Sequence, residues 1–293
     1  MNIEWIAVDW GTSNMRAWAM DGASPVAEAA SDRGMGGLNP EEFEPALLEL
    51  VSPWLSDGAT QIVACGMVGA KQGWIEAPYI SVPARPLADT QIKAPATDPR
   101  ISVHILPGMS QNNPADVMRG EETQIAGFMA LAPEFDGIIC LPGTHTKWVE
   151  VSAGEVVSFR TFMSGEIFAL LADASVLKHS IGDGWDDQAF VDALSDAMSR
   201  PEALASRLFS LRAEGLLHNL QPNVARARLS GLLIGAELAA ARPYWLGQQI
   251  ALIGDPKLSA FYATALESQG APAAQADATR ATLAGLTKAY QAL

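Results

Sequence analysis

The feature that most constrains the fold is a strand-turn-strand pattern that occurs twice. The apolar run "IEWIAV" ends in "DWGTS", residues 9–13, and the apolar segment "MRAWAMD" follows at once. The segment "GIICLPGTHTKWVEV" repeats this order, and Gly143 comes 132 residues after Gly11. In each copy a hairpin glycine, Gly22 or Gly154, follows eleven residues later. The pattern predicts a degenerate duplication, with a chance similarity of two Gly-Thr hairpins as the alternative.

The duplication predicts an α/β chain with two domains, residues 1–132 and 133–293, that face each other across a cleft. Strand and helix patterns alternate, so we expect a mixed five-stranded sheet with flanking helices in each domain. Residues 73–107 contain the Pro-rich segment "APYISVPARPL" and predict a long irregular connection of the functional kind. Residues 165–247 carry helical periodicity and predict a helical layer.

The two Gly-Thr turns indicate a site for an anion. Such turns aim several backbone N–H groups and hydroxyls at one point, which suits the phosphates of ATP. Two turns can hold one nucleotide, and Asp9 at the first strand's end would hold a hydrated Mg²⁺, which prefers hard oxygen ligands. In the alternative interpretation, Asp9 caps the turn and Thr12 bonds to its own backbone.

Charge and composition exclude several classes of protein. The net charge is −14, from 33 acidic and 19 basic residues, and the basic residues form no stripe that could follow a nucleic acid. No leader and no apolar run of 18 residues is found, so we expect neither export nor membrane insertion but a cytoplasmic enzyme. Cys65 and Cys140 follow apolar residues and suit buried thiols better than a disulfide or a zinc site.

The motifs resemble those of a known superfamily. "VDWGTSNMRAW" and "LPGTHTKWVEV" are similar to the two phosphate motifs of the actin-like ATPase superfamily of sugar kinases, hexokinases and actin. "QQIALIGDPKLSAFYATAL" resembles its adenosine motif, although it offers Gly254 followed by Asp255-Pro256 where two or three glycines are usual. The resemblance implies two ribonuclease-H-like (actin-like ATPase) domains, and it implies adenosine contacts for Gly254 and Leu258.

A narrower resemblance covers nearly the whole chain. "GMVGAKQGWIEAPY", "DVMRGEETQIAG", "LPGTHTKWV" and "FMSGEIFALL" occur in the order and at the separations typical of the 2-dehydro-3-deoxygalactonokinase family. That family phosphorylates 2-dehydro-3-deoxy-D-galactonate at its 6-hydroxyl with ATP, in galactonate catabolism. The resemblance therefore implies a sugar-acid site in the first domain and a nucleotide site in the second.

Phosphoryl transfer also needs a base that accepts the proton of the attacking hydroxyl. The pair Glu121-Glu122 follows Gly120 in the first turns of a helix predicted over "DVMRGEETQIAGFMALA", where related sugar kinases have a Gly-Asp pair. We expect Glu121 to be the base because Gly120-Glu121 matches that pattern directly. In the alternative interpretation, both acids only complement the helix dipole.

The remaining candidates are residues near the turns and the irregular segment. Each charged one is also consistent with a solvated surface position. For the phosphates they are Gly11, Thr12, Ser13, Arg16, Gly143, Thr144, His145, Thr146 and Lys147. For the sugar acid they are Arg33, Lys71, Gln72, Trp74 and Arg85, with Arg119 beside the acidic pair as a further cation.

Two other functions remain open at this point. One is a kinase for a different sugar acid, and the other is a non-catalytic sensor that binds ATP or a sugar acid on the same fold. The expected partners are the sugar acid and ATP, with a homodimer left open.

Overall fold

The computed structural model describes residues 2–87 and 91–293. Its strands are β1 (Trp5–Trp10), β2 (Met15–Asp21), β3 (Ser24–Ser31), β4 (Thr60–Cys65), β5 (Tyr79–Ser81), β6 (Ile92–Lys93), β7 (Ile101–Ile105), β8 (Gly108–Asn112), β9 (Ala115–Met118), β10 (Gly137–Leu141), β11 (Thr146–Ser152), β12 (Glu155–Phe162), β13 (Ile250–Gly254) and β14 (Ala273–Asp277). Its α-helices are α1 (Phe43–Val51), α2 (Glu121–Leu131), α3 (Ser164–Ala169), α4 (Asp187–Ser199), α5 (Leu204–His218), α6 (Pro222–Ala240), α7 (Arg242–Trp245), α8 (Pro256–Ser268) and α9 (Ala278–Tyr290). Short 3-10 segments lie at Met35–Gly37, Pro40–Glu42, Ser52–Trp54, Met67–Gly69, Val176–His179 and Pro201–Ala203, and a π-helical turn, Leu170–Ala174, continues α3.

The described chain forms two compact units. The first takes in the described residues up to Asp136 together with Val151–Ser158 and Asp277–Leu293. The second takes in Gly137–Glu150 and Phe159–Ala276. The first unit therefore contains the last helix of the chain, α9. A functional division after residue 132 stays a prediction.

The first unit is built on a sheet with the strand order β3-β2-β1-β4-β7-β6. Strands β1, β4 and β7 are parallel, and β2 and β3 extend the sheet as the predicted antiparallel meander. The expectation of five strands was wrong for this sheet, because the short strand β6 adds an antiparallel edge beside β7. The parallel strands bring their carboxyl ends, Asp9 and Cys65, side by side.

Strand β1 is buried on both faces, which explains its almost continuous apolar sequence. Ile6, Val8 and Trp10 pack into the core on one face, where α1 lies. Trp5 and Ala7 pack into the core on the other face, together with Leu286 of α9. Full burial of an aliphatic side chain such as Ile6 or Val8 stabilises the fold by about 1.5–3 kcal/mol relative to leaving it exposed.

The irregular connection contains a small sheet of its own. Strand β5 is parallel to β8, and β8 is antiparallel to β9. The predicted start of the next helix, at "DVM", was wrong, because Ala115–Met118 forms β9. The chain turns at Gly120, whose φ is 108°, and α2 begins at Glu121.

A second large sheet has the order β12-β11-β10-β13-β14, and its strands β10 and β13 lie in the second unit. This confirms the predicted five strands, and β10 and β13 are parallel. The predicted helical layer contains α4 and α6, where Gly231 and Gly235 allow close packing because an added Cβ would lie 2.4 and 2.5 Å from backbone oxygens of α4. No helix in the described part of the chain is long and apolar enough to span a membrane.

Candidate active site

The first Gly-Thr turn is held by a glycine-rich segment that follows β3. Gly11 O accepts the N–H of Met35 at 3.0 Å, and Thr12 O accepts the N–H of Gly36 at 2.9 Å. A Cβ on Gly34 would lie 2.2 Å from the carbonyl carbon of Ser13, so only glycine fits there. The segment "RGMGG" therefore supports the backbone of the turn through these contacts. The side chains of Thr12 and Ser13 are exposed.

Asp9 lies next to the end of β1, on the carboxyl edge of the sheet. Its Oδ2 accepts a hydrogen bond from Nη2 of Arg16 at 2.7 Å, and its Oδ1 lies 3.9 Å from the Sγ of Cys65. Nη1 of Arg16 also donates to Oγ1 of Thr279 in α9, at 3.4 Å. Arg16, a candidate phosphate ligand, thus holds the carboxylate that was predicted to bind the metal.

The start of α2 reaches the same edge through a contact between two glycines. A Cβ on Gly120 would lie 3.3 Å from the Cα of Gly66, which directly follows β4. Both glycines have positive φ, 108° and 93°, which other residues rarely adopt. The structure therefore brings Glu121 and Glu122 to the carboxyl ends of β1 and β4.

The two glutamates have different surroundings. Glu122 is fully buried, and its carboxylate accepts the N–H of Gly120 at 2.7 Å. Burial, followed by the negative charge of Glu121, raises the pKa of Glu122 to about 8. Glu121 is half-buried, and its Oε2 accepts the N–H of Arg119 at 3.1 Å. Of the two glutamates, Glu121 is the one whose side chain is partly open to solvent.

The candidate cations for the substrate lie in varied places. Arg33 donates to Glu49 at 2.9 Å and lies 4.0 Å from Glu42, in a surface ion-pair cluster. Three further candidates, in or just before the irregular segment, are exposed, namely Lys71, Gln72 and Arg85. The structure does not gather these four residues around the acidic pair by any hydrogen bond among the described residues.

Trp74 belongs to the core of the first unit. Its ring stacks on Phe43, with centroids 6.3 Å apart, and meets Trp10 edge-on. A role for Trp74 in the substrate pocket stays a prediction, and its packing shows that the segment after Gly73 is anchored to the sheet.

Arg119 is the cation that the structure places directly before the acidic pair. It is buried, and its Nη2 donates to the carbonyl of Ala77 at 2.8 Å. Its guanidinium lies 4.3 Å from the centroid of the Tyr79 ring. Its Nε and Nη1 are buried and have no hydrogen-bond partner among the described residues. Two unpartnered N–H groups on a buried cation are costly, which indicates an anionic ligand.

The second Gly-Thr turn is held by the start of α3. A Cβ on Gly165 would lie 2.3 Å from Gly143 O, and Thr144 O accepts the N–H of Glu166 at 2.9 Å. Nε2 of His145 lies 2.7 Å from a carboxylate oxygen of Glu166. The motif "FMSGE" therefore supports this turn as "RGMGG" supports the first.

Two candidates after this turn point inward. Lys147 is buried, and its Nζ donates to the carbonyl of His145 at 3.2 Å. Thr146 is fully buried, and its hydroxyl lies 2.9 Å from the hydroxyl of Tyr262. Both side chains therefore hold the turn in place, and phosphate contacts for them stay a prediction.

A cavity of about 580 Å³ lies beside this turn, within the range of small-molecule sites. Trp185 and Phe261 stack in its wall with ring centroids 4.0 Å apart, and the Nε1 of Trp185 is buried without a described partner. The residues that line the cavity are Gly143, Thr144, Ser164, Gly165, Phe168, Asp183, Gly184, Trp185, Arg226, Ser230, Leu233, Ile234, Asp255, Lys257, Leu258, Phe261 and Tyr262. The cavity thus combines an apolar, aromatic wall with a phosphate-type turn.

The two adenosine candidates lie at this cavity or next to it. Leu258 lines it, and its N–H is capped by Oδ1 of Asp255 at 3.0 Å. A Cβ on Gly254 would lie 3.0 Å from Pro142 O, so the strand end passes close to the residue before the turn. Sequence reasoning missed Trp185 and Phe261 because their rings meet only in the folded chain.

The described residues contain no cluster of three or more His, Cys, Asp or Glu side chains that could enclose a metal ion. Mg²⁺ in sites that bind phosphates is commonly held by one or two carboxylates, waters and the substrate phosphates. Asp9, whose side chain is 24% exposed, provides one such carboxylate.

Comparison with known proteins gives consistent results. A family model described as 2-keto-3-deoxy-galactonokinase matches residues 9–289. A Rhizobium meliloti protein named "probable 2-dehydro-3-deoxygalactonokinase" is 40% identical over 98% of this chain and 96% of its own length. The 2-dehydro-3-deoxygalactonokinase of Escherichia coli is 37% identical over 92% of this chain and 91% of its own length.

A solved structure from Sinorhizobium meliloti, whose description names a 2-dehydro-3-deoxygalactonokinase, superposes with a TM-score of 0.91. It is 38% identical and covers 99% of this chain and 96% of its own. The structural neighbours show the two-domain fold of the actin-like ATPases and sugar kinases, which confirms the predicted fold class.

Proposed function

Because the chain belongs to the 2-keto-3-deoxy-galactonokinase family, we propose that it transfers the γ-phosphoryl group of ATP to the 6-hydroxyl of 2-dehydro-3-deoxy-D-galactonate. The chain is a kinase that phosphorylates 2-dehydro-3-deoxygalactonate in galactonate catabolism. The use of ATP, the position of transfer and the role of each residue are the finer parts of the proposal. The observation that supports ATP best is the cavity beside Gly143 and Thr144.

The second unit binds the nucleotide in this proposal. The stacked rings of Trp185 and Phe261 provide an apolar surface for a base, and the buried Nε1 of Trp185 provides an unused hydrogen-bond donor. The turn at Gly143 and Thr144 provides backbone N–H groups for the phosphates. Lys257 lines the same cavity and adds a positive charge.

Magnesium fits the carboxyl edge of the first sheet, where Asp9 would hold it. When bound, Mg²⁺ neutralises charge on the phosphate oxygens. Arg16 keeps the Asp9 carboxylate in one orientation through its 2.7 Å hydrogen bond. Gly11, Thr12 and Ser13 provide further donors at the same edge.

Glu121 acts as the general base. The O–H bond of the acceptor breaks and its proton goes to the Glu121 carboxylate. The acceptor oxygen bonds to the γ-phosphorus while the bond from that phosphorus to the bridging oxygen of ADP breaks. The burial of Glu122 supports this assignment, because a carboxyl group with a pKa of about 8 is mostly protonated at neutral pH.

Arg119 recognises the carboxylate of the sugar acid. Its Nε and Nη1 lack acceptors among the described residues, and its guanidinium is fixed by Ala77 and Tyr79. An arginine fork suits a carboxylate geometrically, and a neutral sugar would leave it unpaired. Substrate binding by Arg33, Lys71, Gln72, Trp74 and Arg85 stays a prediction.

A coupled ADP-release assay over a panel of sugar acids and neutral sugars tests the function. We expect turnover with 2-dehydro-3-deoxy-D-galactonate and a product that carries phosphate on C6. A higher kcat/KM for another sugar acid would move the assignment to that acid. ATP or sugar-acid binding without turnover on any acceptor would support the sensor instead.

We propose that the enzyme acts in the cytoplasm, where galactonate catabolism supplies its acceptor. A homodimer is also proposed. Phe209, Leu216 and Leu217 of α5 are exposed apolar side chains, and a twofold contact between copies would remove them from water. Light scattering of the purified protein tests this oligomeric state.

A further inference from the structure

A buried carboxylate behind the second turn is not used by the proposed reaction. Glu237 of α6 is 3% exposed and accepts hydrogen bonds from Nε1 of Trp148 at 2.8 Å and from the hydroxyl of Tyr262 at 3.0 Å. The side chain of Ser164 also bonds to it. Trp148, Ser164 and Tyr262 lie in β11, α3 and α8, so one carboxylate joins three elements to α6.

With Glu237 ionised, the hydrogen bonds of this cluster have a fixed direction. Tyr262 has one hydroxyl proton and donates it to Glu237, so its oxygen accepts the proton of Thr146 across 2.9 Å. Thr146 likewise has one proton, and it is used within the protein. The chain of donors therefore runs from Thr146 to Tyr262 to Glu237.

These hydrogen bonds connect the second turn to the wall of the cavity. Thr146 is the first residue of β11, directly after the turn at Gly143, Thr144 and His145. Tyr262 and Ser164 both line the cavity. A change at Glu237 would thus reach the turn and the cavity wall together, although Glu237 itself is not among the lining residues.

We propose that Glu237 is a positioning residue that fixes the second phosphate turn relative to the nucleotide cavity through Tyr262 and Thr146. The inference rests on the proposed nucleotide role of that cavity. Burial alone raises the pKa of Glu237 to about 7 despite three donors, so the carboxyl group is costly at this place. An apolar side chain would fill the same space at lower cost, and it would not orient Tyr262.

The isosteric variant Glu237→Gln tests the direction of these hydrogen bonds. When its amide oxygen accepts from Trp148, its NH₂ group donates to Tyr262, so the hydroxyl of Tyr262 turns toward Thr146 and the hydroxyl of Thr146 loses its acceptor; in the other orientation of the amide, Trp148 faces the NH₂ group. We expect the Kd for a non-hydrolysable ATP analogue and the KM for ATP to rise roughly tenfold, as mispairing one buried hydrogen bond would produce. The kcat at saturating ATP should change far less.

Two further variants separate positioning from simple packing. Thr146→Val keeps the shape and removes the donor, so it should raise the Kd to a similar extent, and the double variant with Glu237→Gln should add little more. Trp245→Phe is the matched control, because it removes a buried indole hydrogen bond, to Leu238 O, in the same core and breaks no hydrogen bond of Thr146 or Tyr262.

Calorimetry measures the affinity for the analogue without turnover, so the result does not depend on which sugar acid is the true acceptor. The proposal is overturned if Glu237→Gln and Trp245→Phe lower the melting temperature alike and neither changes the Kd. If Glu237→Gln does not fold, Tyr262→Phe replaces it, with the same expected rise. A wild-type protein that does not bind the analogue would instead contradict the proposed nucleotide site.

Discussion

At the residue scale, the two glutamates that open α2 allow a direct test of the base. Glu121→Gln should lower kcat by about 10²–10⁴-fold, the usual cost of removing a general base, with ATP binding retained. Glu122→Gln should lower kcat far less, because the buried Glu122 is already mostly protonated near neutrality. Steady-state kinetics on both variants measure these losses and so decide which glutamate is the base. The reverse ranking would assign the proton transfer to Glu122, and small losses in both would leave only a helix-capping role.

Glu122 also predicts how stability depends on pH. Its pKa is about 8 in the folded protein against 4.5 ordinarily, so between these values the folded state holds a proton that the unfolded chain has lost. The free energy of unfolding should therefore fall as the pH rises, by up to about 1.4 kcal/mol per pH unit. Glu237 contributes with the same sign up to a pH of about 7.

The neutral variant Glu122→Gln should show a shallower fall over this range. Urea unfolding of the wild type and of Glu122→Gln at several pH values between 5 and 8 measures how steeply the free energy of unfolding falls with pH. This range lies about between the ordinary pKa of Glu122 and its pKa in the folded protein. Glu76→Gln, a change at an exposed position, is the control and should keep the wild-type slope. An unchanged slope in Glu122→Gln would show that Glu122 is ionised in the folded protein.

Asp9→Ala should remove phosphoryl transfer without unfolding the protein. The carboxylate lies at a strand end and contacts Arg16, so its loss removes a charge and no core packing. We expect kcat to fall by at least about a hundredfold, as when a transition-state electrostatic contact is lost. Activity is compared with the thermal midpoint, and a variant within a few fold of wild type would separate Asp9 from the reaction.

Arg119 should determine the preference for an acid over a neutral acceptor. Arg119→Gln is expected to lower kcat/KM for the sugar acid by about 10²-fold, while that for its methyl ester changes little. Arg119→Lys keeps the charge and loses the fork, so it should recover only part of the preference. Lys93→Gln, at an exposed position outside the candidate residues, is the control. Equal losses for the acid and the ester would make Arg119 a structural cation.

At the element scale, α2 is held by α9 through a close contact of glycines. A Cβ on Gly285 would lie 2.0 Å from Thr123 O, and one on Gly127 would lie 1.8 Å from Ala281 O. Gly285→Ala should therefore lower the free energy of unfolding by at least about 1–3 kcal/mol, since the helices must move apart. Because α2 carries Glu121, kcat should fall as well.

Denaturant unfolding and steady-state kinetics measure both effects. Gly58→Ala is the control, because an added Cβ there would meet nothing within 4 Å. If Gly285→Ala matched Gly58→Ala within about 0.5 kcal/mol, the two helices would be less closely coupled than the contact indicates.

Most elements next to the turns were predictable, because their signals are local. The strands around Gly11 and Gly143 follow from apolar runs that end in glycine, and the start of α2 follows from Gly120 and its acidic pair. Strand β9 was not predictable, because its residues pair with β8 only after the irregular connection has folded.

At the scale of the whole molecule, the duplication indicated two sheets, and the family resemblance indicated a sugar-acid kinase. The surroundings of individual side chains were beyond sequence reasoning. Thr146 was expected near phosphate, yet its hydroxyl is directed to Tyr262, more than a hundred residues later. Arg119 was one of several cations, and it is distinguished by its burial with two nitrogens, Nε and Nη1, that have no partner among the described residues. Such properties depend on tertiary packing and leave no periodic pattern.

The placement of α9 in the first unit has a consequence for protein synthesis. Trp5 stacks on Tyr290 with ring centroids 4.5 Å apart, and α2 packs against α9 through Gly127 and Gly285. While the ribosome is still translating the second unit, one face of β1 therefore lacks the helix that covers it. The first unit can close its core only after the second unit has been translated and α9 has left the exit tunnel, so we expect nascent chains to expose that face to chaperones until then.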